Sequence, residues 1–231
     1  MIIAIDGPAG AGKSTVAKML AHKLGFLYID TGAMYRALTL KAIEQGIDIK
    51  ETDAMIKLAS GTGIDLMSNQ DGSLKILLDG RDVSSQIRSP RITKLVSDIA
   101  KIKGVREVML GLQRSLGEIK NSVLEGRDIG TVVFPDADKK FYIDAQFPVR
   151  VLRRYKELKE QDAGISMEDV TSDLRNRDTI DSTREFAPLK KAEDAIYIDT
   201  TDMTIEEVVE TLLGYIGTPR HQTNTGDLVT L

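Results

Sequence analysis

The residues best suited to chemistry stand at the start of the chain: Gly7, Pro8, Ala9, Gly10, Ala11, Gly12, Lys13 and Ser14. Their spacing fits G-x-x-x-x-G-K-[ST], the pattern of a loop that wraps phosphates. Glycines let the backbone turn so that its N–H groups face a phosphate chain, and the N-terminus of a following helix adds positive potential. Lys13 is then placed for β- and γ-phosphate oxygens, and the Ser14 hydroxyl for Mg²⁺. The apolar run Met1 to Ile5 reads as a buried strand before the loop. Val16, Met19, Leu20 and Leu24 follow at helical spacing. An ordinary glycine turn between strand and helix needs no Lys-Ser at its end.

Other charged residues gather where strands should end. Phe26 to Ile29 is a short apolar run leading into Asp30-Thr31-Gly32, with Arg36 one turn later. Asp30 or Thr31 is suited to cap the helix that follows. Ser122 to Leu124 leads into Glu125-Gly126-Arg127-Asp128-Ile129-Gly130. With Lys140 to Ala145 and Ala195 to Asp199, these make five short strands alternating with helices. That alternation predicts an α/β fold with a parallel sheet covered on both faces, where ligands bind at the carboxyl ends of the strands. Arg36, Arg127, Asp30 and Asp128 would then join the loop at one sheet edge. A second arginine group comprises Arg150, Arg153, Arg154, Arg175, Arg177 and Arg184. Arg177, Asp181 and Arg184 share one helical face. Two helices are expected here, Pro148 to Gln161 and a second opened by the capping box Ser166-x-x-Asp169 and running to about Asp181. Such a pair can close over a triphosphate, although Arg150 fits a solvated salt bridge equally well.

From Gly61 to about Arg88 the alternation is interrupted. Ile64 to Leu66 and Leu74 to Leu78 look like antiparallel strands joined by a turn at Asn69 to Gly72, then a helix spans about Arg91 to Lys101 and breaks at Gly104. Val105 to Ile119 and Thr204 to Tyr215 are further helices, the latter capped by Thr204. The stretch from Gly217 to Leu231 has no periodicity and reads as disordered or appended.

Composition narrows the classes. The 231 residues carry a net charge of −4, with 42% hydrophobic and 29% charged side chains, as in soluble globular proteins. General affinity for nucleic acid or membranes is not expected. There is no cysteine, and only His22 and His221 as histidines, so disulfides, thiolate chemistry and histidine-based metal sites are not expected. No run reaches membrane-spanning length and the first strand takes the place of a signal peptide, which points to the cytoplasm. No large apolar seam suggests an oligomer, so a monomer is expected.

Four stretches together resemble the bacterial cytidylate kinases: the loop Gly7 to Ser14, Asp30-Thr31-Gly32-Ala33-Met34-Tyr35-Arg36, Gly126-Arg127-Asp128 through Phe134-Pro135, and Arg184-x-x-Ala187-Pro188-Leu189. The resemblance runs from Met1 to about Ile216 and includes the insertion at about residues 61–101. It implies transfer of a phosphoryl group from ATP to CMP or dCMP with Mg²⁺. It also implies a P-loop kinase core with a five-stranded parallel sheet (1–30, 102–147 and 185–216), an inserted CMP-binding domain (31–101) and a helical lid (148–184). Carried over by motif, Lys13, Arg127, Arg177 and Arg184 would act on the transferred group. ATP would meet Gly7 to Thr15, Arg153 and Arg154, with Ser14 at the metal. Thr31, Arg36 and Arg127 would hold the acceptor's phosphate, and Ser97, Arg106 and Asp128 would read cytosine. Arg177 and Asp181 would meet the ribose, and Arg184 the phosphates or the base.

The residue chemistry agrees independently. A phosphomonoester has its second pKa near ~6 and is mostly dianionic at pH 7, so no strong general base is needed. Cytosine presents an N4 donor beside O2 and N3 acceptors, which an Asp–Arg pair complements. Another small-molecule kinase (shikimate, UMP or AMP) would not be expected to keep Gly126 to Pro135 as it stands. A GTP switch predicts N-K-x-D, which is absent from the sequence. A nucleic-acid motor predicts a basic chain and an acidic pair closing a strand.

Overall fold

The computed structural model describes residues 1–68, 74–160 and 164–217. Its elements are β1 (Ile2–Asp6), α1 (Lys13–Leu24), β2 (Leu27–Asp30), α2 (Thr31–Glu44), α3 (Thr52–Ser60), β3 (Ile64–Ser68), β4 (Leu74–Leu78), β5 (Arg81–Asp82), α4 (Pro90–Ala100), α5 (Lys103–Gly117), β6 (Ser122–Gly126), β7 (Lys139–Asp144), α6 (Phe147–Lys159), α7 (Met167–Thr183), β8 (Ile196–Asp199) and α8 (Ile205–Gly217). Five strands form a parallel sheet in the order β2-β6-β1-β7-β8. β3, β4 and β5 form a separate antiparallel sheet.

The alternation of side chains along β1 explains why both faces are covered. Ile3 and Ile5 enter one buried cluster with Val16 and Leu20 of α1, Phe141 of β7 and Val209 of α8. Ala4 enters another with Ile29, Leu124, Ile129 and Val133 on the opposite face. A third cluster joins α2, α3, β4, α4 and α5 through Met34, Leu38, Met55, Ile76, Ile99 and Met109. The smallest holds the pair α6–α7 together through Val151, Val170 and Leu174, and it includes Ala9 of the glycine loop.

Helix starts follow their capping chemistry. Asp30, not Thr31, caps α2, with its carboxylate accepting from Ala33 N–H at 2.9 Å. Ser166 and Asp169 form the reciprocal capping box on α7. Thr204 and Glu207 do the same on α8. Gly104 does not break a helix: it sits in the first turn of α5, and the break falls at Lys101–Ile102. Helix α7 runs on to Thr183, past the expected end at Asp181. The short strand β5 had no signal in its two exposed residues. After β6 comes one π-helical turn, Ile129–Val133, in which Val133 and Phe134 N–H donate to the carbonyls of Asp128 and Ile129, five residues back. The expected turn at Asn69 to Gly72, the end of the α6 reading at Gln161 and the tail beyond Gly217 lie outside the described residues. No helix among the described residues is long and apolar enough to cross a membrane.

Candidate active site

The carboxyl ends of β1, β2 and β6 meet at one edge of the sheet, because register pairs Ile5 with Glu125, Asp6 with Gly126, and Asp30 with Glu125. A cavity of about 1330 Å³ opens there. Of the residues given a site role, all but Gly7 and Pro8 border it; Arg150 and Arg175 of the second arginine group do not line it.

Gly7 lies behind the loop for a steric reason. Its φ is +148°, and a Cβ there would sit 1.9 Å from the Ile143 carbonyl oxygen. The loop therefore crosses hard against β7 before turning into α1. Lys13 is buried and its Nζ donates to the Pro8 carbonyl at 2.6 Å. Burial, aided by Arg127, pulls Lys13 well below the usual lysine value. Ser14 Oγ donates to Glu125 Oε2 at 2.8 Å, and the Tyr28 hydroxyl donates to Glu125 Oε1. Burial, with Asp30 beside it, pushes the Glu125 carboxyl up.

The arginines divide into two sets. In one set, beside the end of β6, Asp128 stands between two of them: Arg106 pairs with Oδ2, and Arg184 lies 3.4 Å from Oδ1. Arg106 also stacks over Tyr35 at 5.4 Å. Arg127 Nε donates to Asp181 Oδ2 at 2.8 Å, and Arg184 lies 3.7 Å from Asp181. Burial alone would raise the Asp181 carboxyl, but Arg127, then Arg184 and Arg177, hold it below its usual value. Arg177 approaches Asp173 at 3.8 Å and its buried Nε has no hydrogen-bond partner among the described residues. Arg36 donates to Thr93 Oγ1 at 2.8 Å and is pulled down to about 10 by burial and by Arg177. Thr31 Oγ1 donates to the Glu125 carbonyl at 2.7 Å, and Ser97 is buried on the cavity wall.

In the other set, on α6, Arg153 is turned toward the sheet, donating to Thr200 Oγ1 and its carbonyl at 3.0 and 2.6 Å. Arg154 pairs with Glu157 at 2.8 Å, leaving a buried Nε without a partner among the described residues. Arg150 is not a solvated surface residue. It is buried, donates to the Ala9 and Ala145 carbonyls at 3.0 and 3.1 Å, and pairs with Asp178 at 2.7 Å. It ties α6 to α7 and both to the glycine loop.

Sequence reasoning passed over Glu125 and Tyr28, whose signal was faint: an acidic residue just before Gly126, and a tyrosine inside a four-residue strand. Asp6, buried at the end of β1, was also missed. Its carboxyl is raised to about 6 by burial, against the lowering effect of two backbone amides.

A glycine loop at the end of the central parallel strand, facing arginines across one cavity, defines a P-loop phosphotransferase. The sequence profile described as "Cytidylate kinase" matches residues 3–218. The cytidylate kinase of Caldanaerobacter subterraneus subsp. tengcongensis is 51% identical over 208 residues, covering 90% of this chain and 91% of that protein. Those of Clostridioides difficile (49% identical, 94% and 98% covered) and Desulforamulus reducens (50% identical, 93% and 96% covered) are similar to the same extent. The chain belongs to the cytidylate kinase family.

Proposed function

We propose that this chain transfers the γ-phosphoryl group of ATP to CMP or dCMP, releasing ADP and CDP or dCDP, with the glycine loop as donor subsite and Asp128 at the centre of the acceptor subsite. The observation that carries the reading is Asp128 held between Arg106 and Arg184 on the same cavity as Lys13. The Asp128 carboxylate accepts from the cytosine N4 amino group, while Arg106, with Ser97 nearby, donates to O2 and N3. Thr31, Arg36 and Arg127 hold the acceptor phosphate. Arg177 and Asp181 meet the ribose, and the Nε of Arg177, unpartnered among the described residues, gives it an unspent donor.

In the transfer, an oxygen of the CMP phosphate bonds to the γ-phosphorus as the bond from that phosphorus to the β,γ-bridging oxygen breaks. The acceptor is already a dianion near pH 7, so no side chain need remove a proton. Lys13, Arg127, Arg177 and Arg184 take up the charge that spreads over the equatorial oxygens. Arg153 and Arg154 serve the ATP side from the lid. The site suits Mg²⁺, since the Ser14 hydroxyl and the Glu125 carboxylate offer hard oxygens beside the loop. Ser14 would ligate the ion, with Glu125 orienting that hydroxyl. When bound, the ion neutralises charge on the β- and γ-phosphates. Residues 31–101 act as the CMP-binding unit, 148–184 as the lid and the remainder to 216 as the core, in a monomer of the cytoplasm.

The test is ADP formation from ATP with CMP, dCMP, UMP, AMP, shikimate or no acceptor. Turnover is expected with CMP and dCMP and at background with AMP, shikimate or no acceptor; comparable turnover without an acceptor refutes the reading.

A further inference from the structure

Asp6 is a buried carboxylate to which the reaction above gives no task. It closes β1, is 4% exposed, and precedes Gly7, where the phosphate loop begins. Burying a carboxylate is expensive unless it is bonded, and Asp6 is bonded in a particular way. Its Oδ1 accepts from Ile129 N–H at 2.8 Å and its Oδ2 from Gly130 N–H at 2.7 Å. Those amides begin the π-helical turn directly after Asp128. The Ile129 N–H belongs to the peptide unit whose carbonyl is that of Asp128, so holding it fixes the backbone on the C-terminal side of Asp128. The Asp128 backbone has φ −145° and ψ 22°, outside helix and strand; its carbonyl accepts from Val132 and Val133 N–H of the turn, and the Asp6 carboxylate holds the amide on the other side of the same peptide and the next amide along.

We propose that Asp6 is a positioning residue for the acceptor base subsite: it holds the Asp128 carboxylate at a fixed offset from the phosphate loop, so that donor and acceptor subsites share one anchor. This rests on the reading of Asp128 as the residue that recognises cytosine. An apolar residue at position 6 would pack without desolvating a charge, and only a two-oxygen acceptor clamps both amides at once. The space is tight on the other side as well. A Cβ on Gly130 would lie 3.1 Å from Lys140 Cδ and 3.4 Å from Asp6 Oδ2, so the turn is pressed between β1 and β7.

The test is a double-mutant cycle on the full chain, Asp6→Asn against Asp128→Ala, with KM read separately for CMP and ATP. An amide presents an acceptor to one N–H and a donor to the other, breaking the clamp at near-constant volume. Asp6→Asn is expected to raise the CMP KM about tenfold and to leave the ATP KM within about twofold. In the Asp128→Ala background the same change is expected to move the CMP KM by no more than about twofold, because the carboxylate it positions is gone. Equal effects on CMP and ATP, no effect on CMP, or an undiminished effect without Asp128 overturns the inference. Should Asp128→Ala itself leave the CMP KM unchanged, the cytosine assignment falls and the inference with it. A raised CMP KM in Asp128→Ala beside a silent or additive Asp6→Asn defeats the inference alone. If Asp6→Asn does not fold, Asp6→Glu keeps the charge but displaces both acceptor oxygens by one methylene and must show the same CMP-selective, Asp128-dependent rise; an unchanged CMP KM in that variant overturns the proposal.

Discussion

The glycine-loop side of the cavity is made of backbone, and the side facing it is made of side chains. Around the glycine loop the chain itself does the shaping: Gly7 lies against the Ile143 carbonyl, and Lys13 waits on the Pro8 carbonyl. Across the cavity, Arg106, Arg127 and Arg184 come from three segments and are held by Asp128 and Asp181. A backbone cradle can be written into a few adjacent residues. A network of ion pairs exists only once distant segments have packed. The first should fail locally and steeply when altered, the second by degrees, and with a dependence on charge.

The largest effect is expected at Lys13. Lys13→Ala should lower kcat about 10³-fold in a coupled ADP assay, with CMP KM nearly unchanged, as for loss of one donor to the transferring group. A comparable loss of CMP affinity would blur the division between the two sides. Gly7→Ala should follow, destabilising the fold by about 3 kcal/mol or more in urea unfolding, since it combines an unfavourable φ with a backbone clash. A mild effect there would mean that the cradle is soft.

Next comes pH, where the two sides should differ in sign. Asp6 has its folded value raised from 3.8 to about 6, so between those limits the folded protein keeps a proton that the unfolded chain has lost. Its contribution to stability therefore falls as pH rises through that window, by about 3 kcal/mol, and then levels off. Asp181 is shifted down. Its contribution is complete above the ordinary carboxylate value and is lost as pH falls through the depressed one. Unfolding of Asp6→Asn and Asp181→Asn from about pH 3 to 7.5 should flatten opposite slopes of the wild-type profile. Slopes of one sign would break the contrast. The smallest effect is expected for Thr31→Val, which removes the bond to the Glu125 carbonyl and should cost about 1 kcal/mol of stability. A CMP KM raised beyond what that loss explains would place Thr31 on the acceptor phosphate.

The same division explains what could be read in advance. The strand–loop–helix unit was legible because its determinants are adjacent: five apolar residues, a glycine pattern and a helical repeat. The five-stranded sheet followed from alternation alone, and Asp30 and Thr204 from capping chemistry. Gly104 misled because it sits in the first turn of α5, where the N–H has no intrahelical partner in any case, so a glycine there costs little. Arg150 could not be resolved because its partners, Ala9, Ala145 and Asp178, are scattered along the sequence. Glu125 was hidden because a carboxylate on a fully buried strand contradicts the apolar pattern that identifies such strands, and only the neighbouring Ser14 and Tyr28 hydroxyls make it intelligible.

The wide turn Ile129–Val133 carries a consequence for chain length. Its carbonyls are met five residues on, so the turn holds one residue more than an α-turn would. Deleting a single residue there need not unravel it, because the bonds can close four residues apart instead. Everything after the deletion would then rotate by roughly 100° about the turn axis. Phe134, buried with Leu124 and Val133 under the sheet, would swing out of its slot. Single-residue length changes at this point should therefore be rejected even where substitutions are accepted, so the segment between Asp128 and Pro135 behaves as a ruler as well as a surface.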